Sequence, residues 1–132
     1  MIGLVIVTHG RLAFELRAAL EHVVGPQPQL EPVSIETERD MAHDRAQLAE
    51  TIGRVDTGDG VVILTDMYEG PASDLAMSLV NGRKLEVIAG VNLPILIKLA
   101  TIRSKCSVAE AAIAAQEFGR KHIKHCPVSR AR

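Results

Sequence analysis

The chain has no tryptophan, and aromatics make up only 2% of its 132 residues. That leaves almost no material for the stacking platforms on which single-stranded nucleic acids bind, and a core must come from Val, Ile, Leu, Ala and Met. Neither charge is in excess: Lys and Arg total 15 against 16 for Asp and Glu, a formal net charge of −1. Nucleic acid and anionic membrane are therefore not indicated as partners. Cysteine is scarce too. Cys106 and Cys126 lack CxxC spacing and no basic flank precedes the first apolar run, a pattern read as a reduced, cytoplasmic protein. That opening run, Ile2 to Val7, is far short of the ~20 apolar residues a membrane helix needs.

What the chain does have is hydrophobic content, 47%, enough for one self-standing domain that removes roughly two-thirds of its unfolded surface from water. Strand-length apolar runs alternate with segments of helical period, the signature of parallel βαβ units. IGLVIV is apolar on both faces, as a central parallel strand should be. LEPVSI is weaker, since Pro32 removes a ladder donor and points to an edge. VVILT and LEVIAG complete four strands. Between them, Leu12, Leu16, Ala19, Leu20 and Val23 share a helical stripe stopped by Gly25-Pro26, and Met41, Leu48, Ile52 and Val55 mark a second. A short helix is expected from about Ser73 to Val80. Another is expected from VNLP through Ile102, with Asn92 as cap and Pro94 in its first turn. A last helix starts at the Ser107–Glu110 capping-box spacing and runs to about Gly119. The fold class is α/β: a single three-layer domain over residues 1–132, a mostly parallel open sheet with helices on both faces.

In such a sheet, ligands sit outside the carboxyl ends of the strands, near the point where strand order reverses. The loops THGR, TDMYEGPAS and GVNLP meet there. His9 and Asp66 occupy equivalent places, each just past an apolar strand, and are expected to converge. An imidazole that donates from one nitrogen to a carboxylate is held in one tautomer, with the other nitrogen basic and aimed outward: a nucleophile or a base. Gly10 lets a bulky anion approach the backbone, and the helix beginning near Arg11 offers free N–H groups. The plainer reading, a strand-end histidine that only caps or hydrogen-bonds, stays open on these residues alone.

VTHGR, LTDMYEG and IAGVNLPILIKLA, in this order and spacing, resemble the enzyme IIA component of the mannose family of the bacterial sugar phosphotransferase system, over Met1 to about Lys121. The resemblance implies a cytoplasmic homodimer. Its histidine, here His9, takes a phosphoryl group from phospho-HPr with Asp66 as hydrogen-bonding carboxylate, and passes it to a separate IIB protein or to a regulatory target. No metal or other cofactor is implied. Relatives exchange a C-terminal strand, so residues beyond Gly119 are a candidate interface, and about 122–132 a flexible or dimer-exchanged segment. The family continues from its aspartate, after two variable residues, into Gly-Gly-Ser/Thr-Pro; here those places read Glu69-Gly70-Pro71-Ala72. Glu69 adds negative charge, Pro71 lacks both hydroxyl and N–H, and Ser73 is the candidate substitute beside Gly70 in a phosphate-binding loop. Weakened phosphate acceptance is therefore expected, and with it the alternative of a regulatory binding module of the same fold.

A small tetrapyrrole metal chelatase also begins with a strand ending in His-Gly, but this chain offers Asp66 and Glu69 without a second cleft histidine. A phosphohistidine hydrolase carries Arg before His-Gly, where Thr8 stands. His22 reads as a partly buried or surface residue of the first helix, and His43 as a residue on the solvent face of the second. His122 and His125, beside Cys126, lack a third committed metal ligand. Met67 and Tyr68 either pack or present a contact surface to a protein partner.

Overall fold

The computed structural model describes residues 1–35 and 40–128. Four strands, β1 (Gly3–His9), β2 (Leu30–Ile35), β3 (Val61–Thr65) and β4 (Leu85–Ala89), form one sheet in the order β2-β1-β3-β4. Every pairing among them is parallel, so the expected mostly parallel sheet is wholly parallel over the described residues. Among the described residues five helices accompany it: α1 (Leu12–Val24), α2 (Met41–Val55), α3 (Pro71–Met77), α4 (Leu93–Ile102) and α5 (Val108–Lys121).

The two faces are covered by different helices. Leu4, Ile6, Val62, Leu64 and Ile88 pack with residues of α1, α4 and α5. Val5, Val7, Val61, Ile63 and Leu85 pack with α2 and α3. Because successive strand side chains point to opposite faces, a strand feeding both cores must be apolar on both, and β1 from Leu4 to Val7 and β3 from Val61 to Leu64 are. Truncating one of these, such as the fully buried Leu64, to Ala costs about 2–5 kcal/mol. Pro32 lies opposite Ile6 on β2, at one edge of the sheet, where a missing donor is tolerated. Among the described residues no helix is long and apolar enough to cross a membrane.

Several boundaries differ from expectation for local reasons. His9 belongs to β1, because pairing with β2 continues to His9↔Ile35, while pairing with β3 stops at Val7↔Thr65. α3 starts at Pro71 rather than Ser73, since proline suits a first helical position whose N–H would have no intrahelical acceptor. The stripe of α1 is narrower than its spacing suggests: Ala13 and Leu20 are buried, whereas Leu12 and Val23 are exposed. Gly119 does not end α5. It lies inside the helix, where an added Cβ would collide with the Ile95 side chain (Cδ1 at 2.8 Å), so its lack of a side chain serves the close α4–α5 crossing. Asn92 caps α4 as expected, accepting from the Ile95 N–H at 2.9 Å, and the Ser107–Glu110 capping box is formed.

Candidate functional site

The strand order turns between β1 and β3: α1 carries the chain from β1 outward to β2, and the next crossover returns it past β1 to β3. The crevice that such a reversal opens at the carboxyl ends is where His9 and Asp66 meet. The Asp66 Oδ2 atom accepts the His9 backbone N–H at 3.0 Å and faces His9 Nδ1 at 2.8 Å. Its Oδ1 accepts the Met67 N–H at 3.0 Å. The His9 side chain is 34% exposed and that of Asp66 11%.

Burial alone would push the Asp66 carboxyl up. The His9 backbone N–H and the interaction with its ring outweigh it and hold the carboxyl below the ordinary aspartate range. Asp66 is thus an acceptor at neutral pH, and an acceptor-only carboxylate 2.8 Å from Nδ1 requires the proton to be on Nδ1. Nε2 is left with its lone pair on the half-exposed side of the ring. A nucleophile or a base, already paired with a carboxylate, is what this arrangement can supply.

Three further groups shape the turn. Thr8 is fully buried, and its hydroxyl accepts the Ala13 N–H at 2.7 Å, capping α1 from outside the helix. Ser34 donates to the Gly10 carbonyl at 2.5 Å, while Gly10 N–H donates to Ile35 at 3.4 Å. Gly10 itself has φ +54° with open space where a Cβ would be, consistent with unobstructed approach to the backbone. Of the N–H groups expected to be free at the start of α1, that of Ala13 is therefore taken. Those of Leu12 and Phe14 have no intrahelical acceptor by position. The Arg11 guanidinium lies 5.1 Å above the Phe14 ring.

On the β3 side, Gly70 holds φ +131°, and a Cβ there would sit 3.4 Å from Met67 Cε and 3.8 Å from His9 Cε1. Gly70 thus abuts the imidazole. Ser73 does not face the ring as a free hydroxyl. It is buried, donates to the Met67 carbonyl and lies 2.8 Å from Thr65 Oγ1, so its hydroxyl is committed to the loop rather than to an incoming phosphate. Glu69 is exposed. Tyr68 and Met67 are exposed at 83% and 51%, which favours the contact-surface reading over packing.

His22, His43, His122 and His125 are all exposed, and among the described residues no group of three or more His, Cys, Asp or Glu side chains comes together. Thr8, Ser34 and Thr65 were the residues that sequence reasoning passed over. The only local signal was a hydroxyl directly after an apolar run, in VTH and ILTD, where a core strand has no use for one unless it caps the next turn.

The family model EIIA-man, described as the PTS system fructose IIA component, matches residues 3–116. The mannose-specific EIIAB component of the PTS from Escherichia coli K12 is 33% identical over 129 residues, covering 93% of this chain. The chain spans 39% of that relative's length. Among solved structures, the mannose/sorbose-specific IIA subunit from Enterococcus faecalis is 26% identical with a TM-score of 0.85, covering 96% of both chains. The phosphotransferase component EIIA from Streptococcus agalactiae, 20% identical, shares the fold at a TM-score of 0.86 over 95% of this chain and 97% of its own.

Proposed function

The chain belongs to the EIIA-man family of phosphotransferase-system IIA components, and on that premise we propose that His9 is its phosphoryl carrier, taking the group from phospho-HPr and passing it to a IIB protein. One observation carries the reading: Asp66 Oδ2 engages both the backbone N–H and Nδ1 of His9, at 3.0 and 2.8 Å. Nε2 is then the only ring atom free to attack phosphorus. As its lone pair forms the new N–P bond, the donor's bond to phosphorus breaks and that electron pair returns to the donor. The ring gains positive charge while Nδ1 keeps its proton, and the Asp66 carboxylate stabilises that charge. Handing the group onward reverses these steps. Phosphoryl transfer passes through a loose, in-line transition state, so positioning is most of what the protein must contribute. Gly70 against the ring and Gly10 with open space above it leave room for the partner's approach.

The decisive experiment is to incubate the protein with phosphorylated HPr of its own organism and map the label. Acid-labile phosphate on His9, abolished in His9→Ala, is the expected result. Label persisting in that variant, or residing on His22, His43, His122 or His125, refutes the assignment.

We further propose that the carrier works in the cytoplasm as a homodimer. The outer edge of β4 supports this: it is unpaired among the described residues and lies between two hollows of about 460 and 290 Å³ that share Tyr68, Val87 and Ala89. An open strand edge invites another strand. Residues 122–127, which follow α5, are in neither helix nor strand, and the expected exchanged segment extends to 132, of which 129–132 lie outside the described residues. Sedimentation at micromolar concentration should report twice the chain mass.

A further inference from the structure

We propose that Thr65 and Ser73 together are positioning residues for His9: two buried hydroxyls clamp the Met67 carbonyl, and through Met67 they hold Asp66 in the orientation that fixes the imidazole tautomer. The proposal rests on the reading of His9 as phosphoryl acceptor and adds two residues that touch neither the ring nor the phosphate.

Thr65 is 0% and Ser73 4% exposed. A buried hydroxyl costs stability unless it is hydrogen-bonded, and in an apolar core a Val and an Ala would occupy the same space without that demand. Here the two oxygens lie 2.8 Å apart and converge on one acceptor. Thr65 Oγ1 is 3.3 Å from the Met67 carbonyl oxygen, and Ser73 donates to the same atom. A carbonyl has two lone pairs, so it takes both donors, or Thr65 donates to Ser73 and Ser73 to the carbonyl. Either way the clamp is satisfied from within.

Met67 is the residue directly after Asp66, and its N–H donates to Asp66 Oδ1 at 3.0 Å. Only two dihedrals separate the carbonyl and the N–H of one residue, so holding the first directs the second. The need for a clamp is plain from the loop itself: Met67 and Tyr68 are exposed, and their side chains lack the buried contacts that would fix the backbone. The chain of contacts therefore runs from two hydroxyls in the core, through Met67, to the far oxygen of Asp66. The near oxygen, Oδ2, then stays on the Nδ1 proton.

The test is the tautomer of His9, read from the imidazole 15N shifts of the isotopically labelled full chain. Wild type should hold its proton on Nδ1. Thr65→Val, isosteric but without the hydroxyl, and Ser73→Ala should each shift population toward the Nε2–H form that a free histidine side chain favours. Phosphoryl acceptance from phospho-HPr should slow about three- to tenfold, the loss of one hydrogen bond's worth of positioning. Thr65→Ser keeps the hydroxyl and removes only the methyl, and should match wild type. A packing role gives the opposite order, with Thr65→Ser the more perturbed and Thr65→Val silent, and that order overturns the proposal. So does an unchanged tautomer in both Thr65→Val and Ser73→Ala. The spectroscopic measurement needs no phosphoryl donor, so failure of wild type to accept phosphate would count against the carrier assignment while leaving this proposal to be decided by the tautomer.

Discussion

Each end of the sheet holds a largely buried charged side chain that is met chiefly by protein dipoles. At the amino end Arg103, 2% exposed, donates to the carbonyls of Ile2 and Gln29 at 3.4 and 3.3 Å, to the Gln27 side-chain oxygen at 3.1 Å and to the Pro28 carbonyl at 2.5 Å. At the carboxyl end Asp66 collects two backbone N–H groups and a ring nitrogen. The local physics is the same, a buried charge solvated by protein dipoles. The difference lies in what the partners are attached to. Every acceptor of Arg103 is a fixed part of the fold, so the charge can only tie β1, the loop before β2 and the end of α4 together. One partner of Asp66 is a half-exposed imidazole whose other nitrogen is free, so the same device is available for the proposed chemistry.

Breaking the amino end should therefore cost stability and spare the site. Arg103→Met removes the donor from several inward-facing oxygens, and unsatisfied buried acceptors cost about 1–3 kcal/mol each. A total loss of about 3–5 kcal/mol in urea unfolding is expected, with the folded protein still accepting phosphate at the wild-type rate. A stable Arg103→Met protein, or one that folds but no longer carries phosphate, would collapse the distinction between the ends.

Breaking the carboxyl end should do the reverse. In Asp66→Asn one acceptor oxygen becomes an NH2 group, which must face either the Met67 N–H or the two His9 donors. Losing the charge that steadies a developing imidazolium is worth about 1.5–3 kcal/mol, hence roughly ten- to hundredfold in transfer rate, with a smaller loss of stability of about 1–2 kcal/mol. The variant also sharpens a pH signature. Because the folded Asp66 carboxyl is held below its unfolded value, its contribution is fully present above about pH 4, the unfolded aspartate value, and is lost as pH falls through the folded one. Acid titration of unfolding stability should be shallower in Asp66→Asn than in wild type. Equal slopes would mean that the carboxylate gains nothing from folding.

The carboxyl end was far more legible in the sequence than the amino end. His9 and Asp66 announce themselves because polar residues following continuous apolar runs are out of place unless something uses them, and the edge position of β2 followed from Pro32 alone. Arg103 gave no such signal. Its acceptors at Ile2 and Gln27 to Gln29 are brought to it only by the closed fold, and a lone arginine after a helix reads as surface. Gly119 misled for a related reason: a glycine near a helix end suggests a stop, whereas its function is a contact with Ile95 that no local pattern contains. Ser73 stands out in the sequence for its closeness to the expected phosphate, whereas its hydroxyl is engaged by Thr65 and the Met67 carbonyl, contacts that only the folded loop creates.

The smallest effect is expected where the sequence departs most visibly from the family pattern. Glu69 and Pro71 were expected to weaken phosphate acceptance through repulsion and a missing donor. Glu69 is exposed, so water and salt screen it from a phosphoryl group on His9. Pro71 occupies the first position of α3, where an N–H would have no intrahelical partner, and its fixed φ suits the helix start. The hydroxyl that a Ser or Thr would have placed there is not replaced at the ring by Ser73, yet the loop is held by the Thr65–Ser73 clamp instead. Replacing Glu69 by Gly and Pro71 by Thr should therefore change the equilibrium fraction phosphorylated by a fixed phospho-HPr pool by less than about threefold, the scale of a screened surface charge. The same double variant should leave the His9 tautomer where it is, because neither residue joins the chain from Thr65 to Asp66. A larger rise would mean that Glu69 does oppose the phosphate, and the carboxyl end would then be tuned for regulation, with its electrostatics set against the group that the proposed carrier role has it accept.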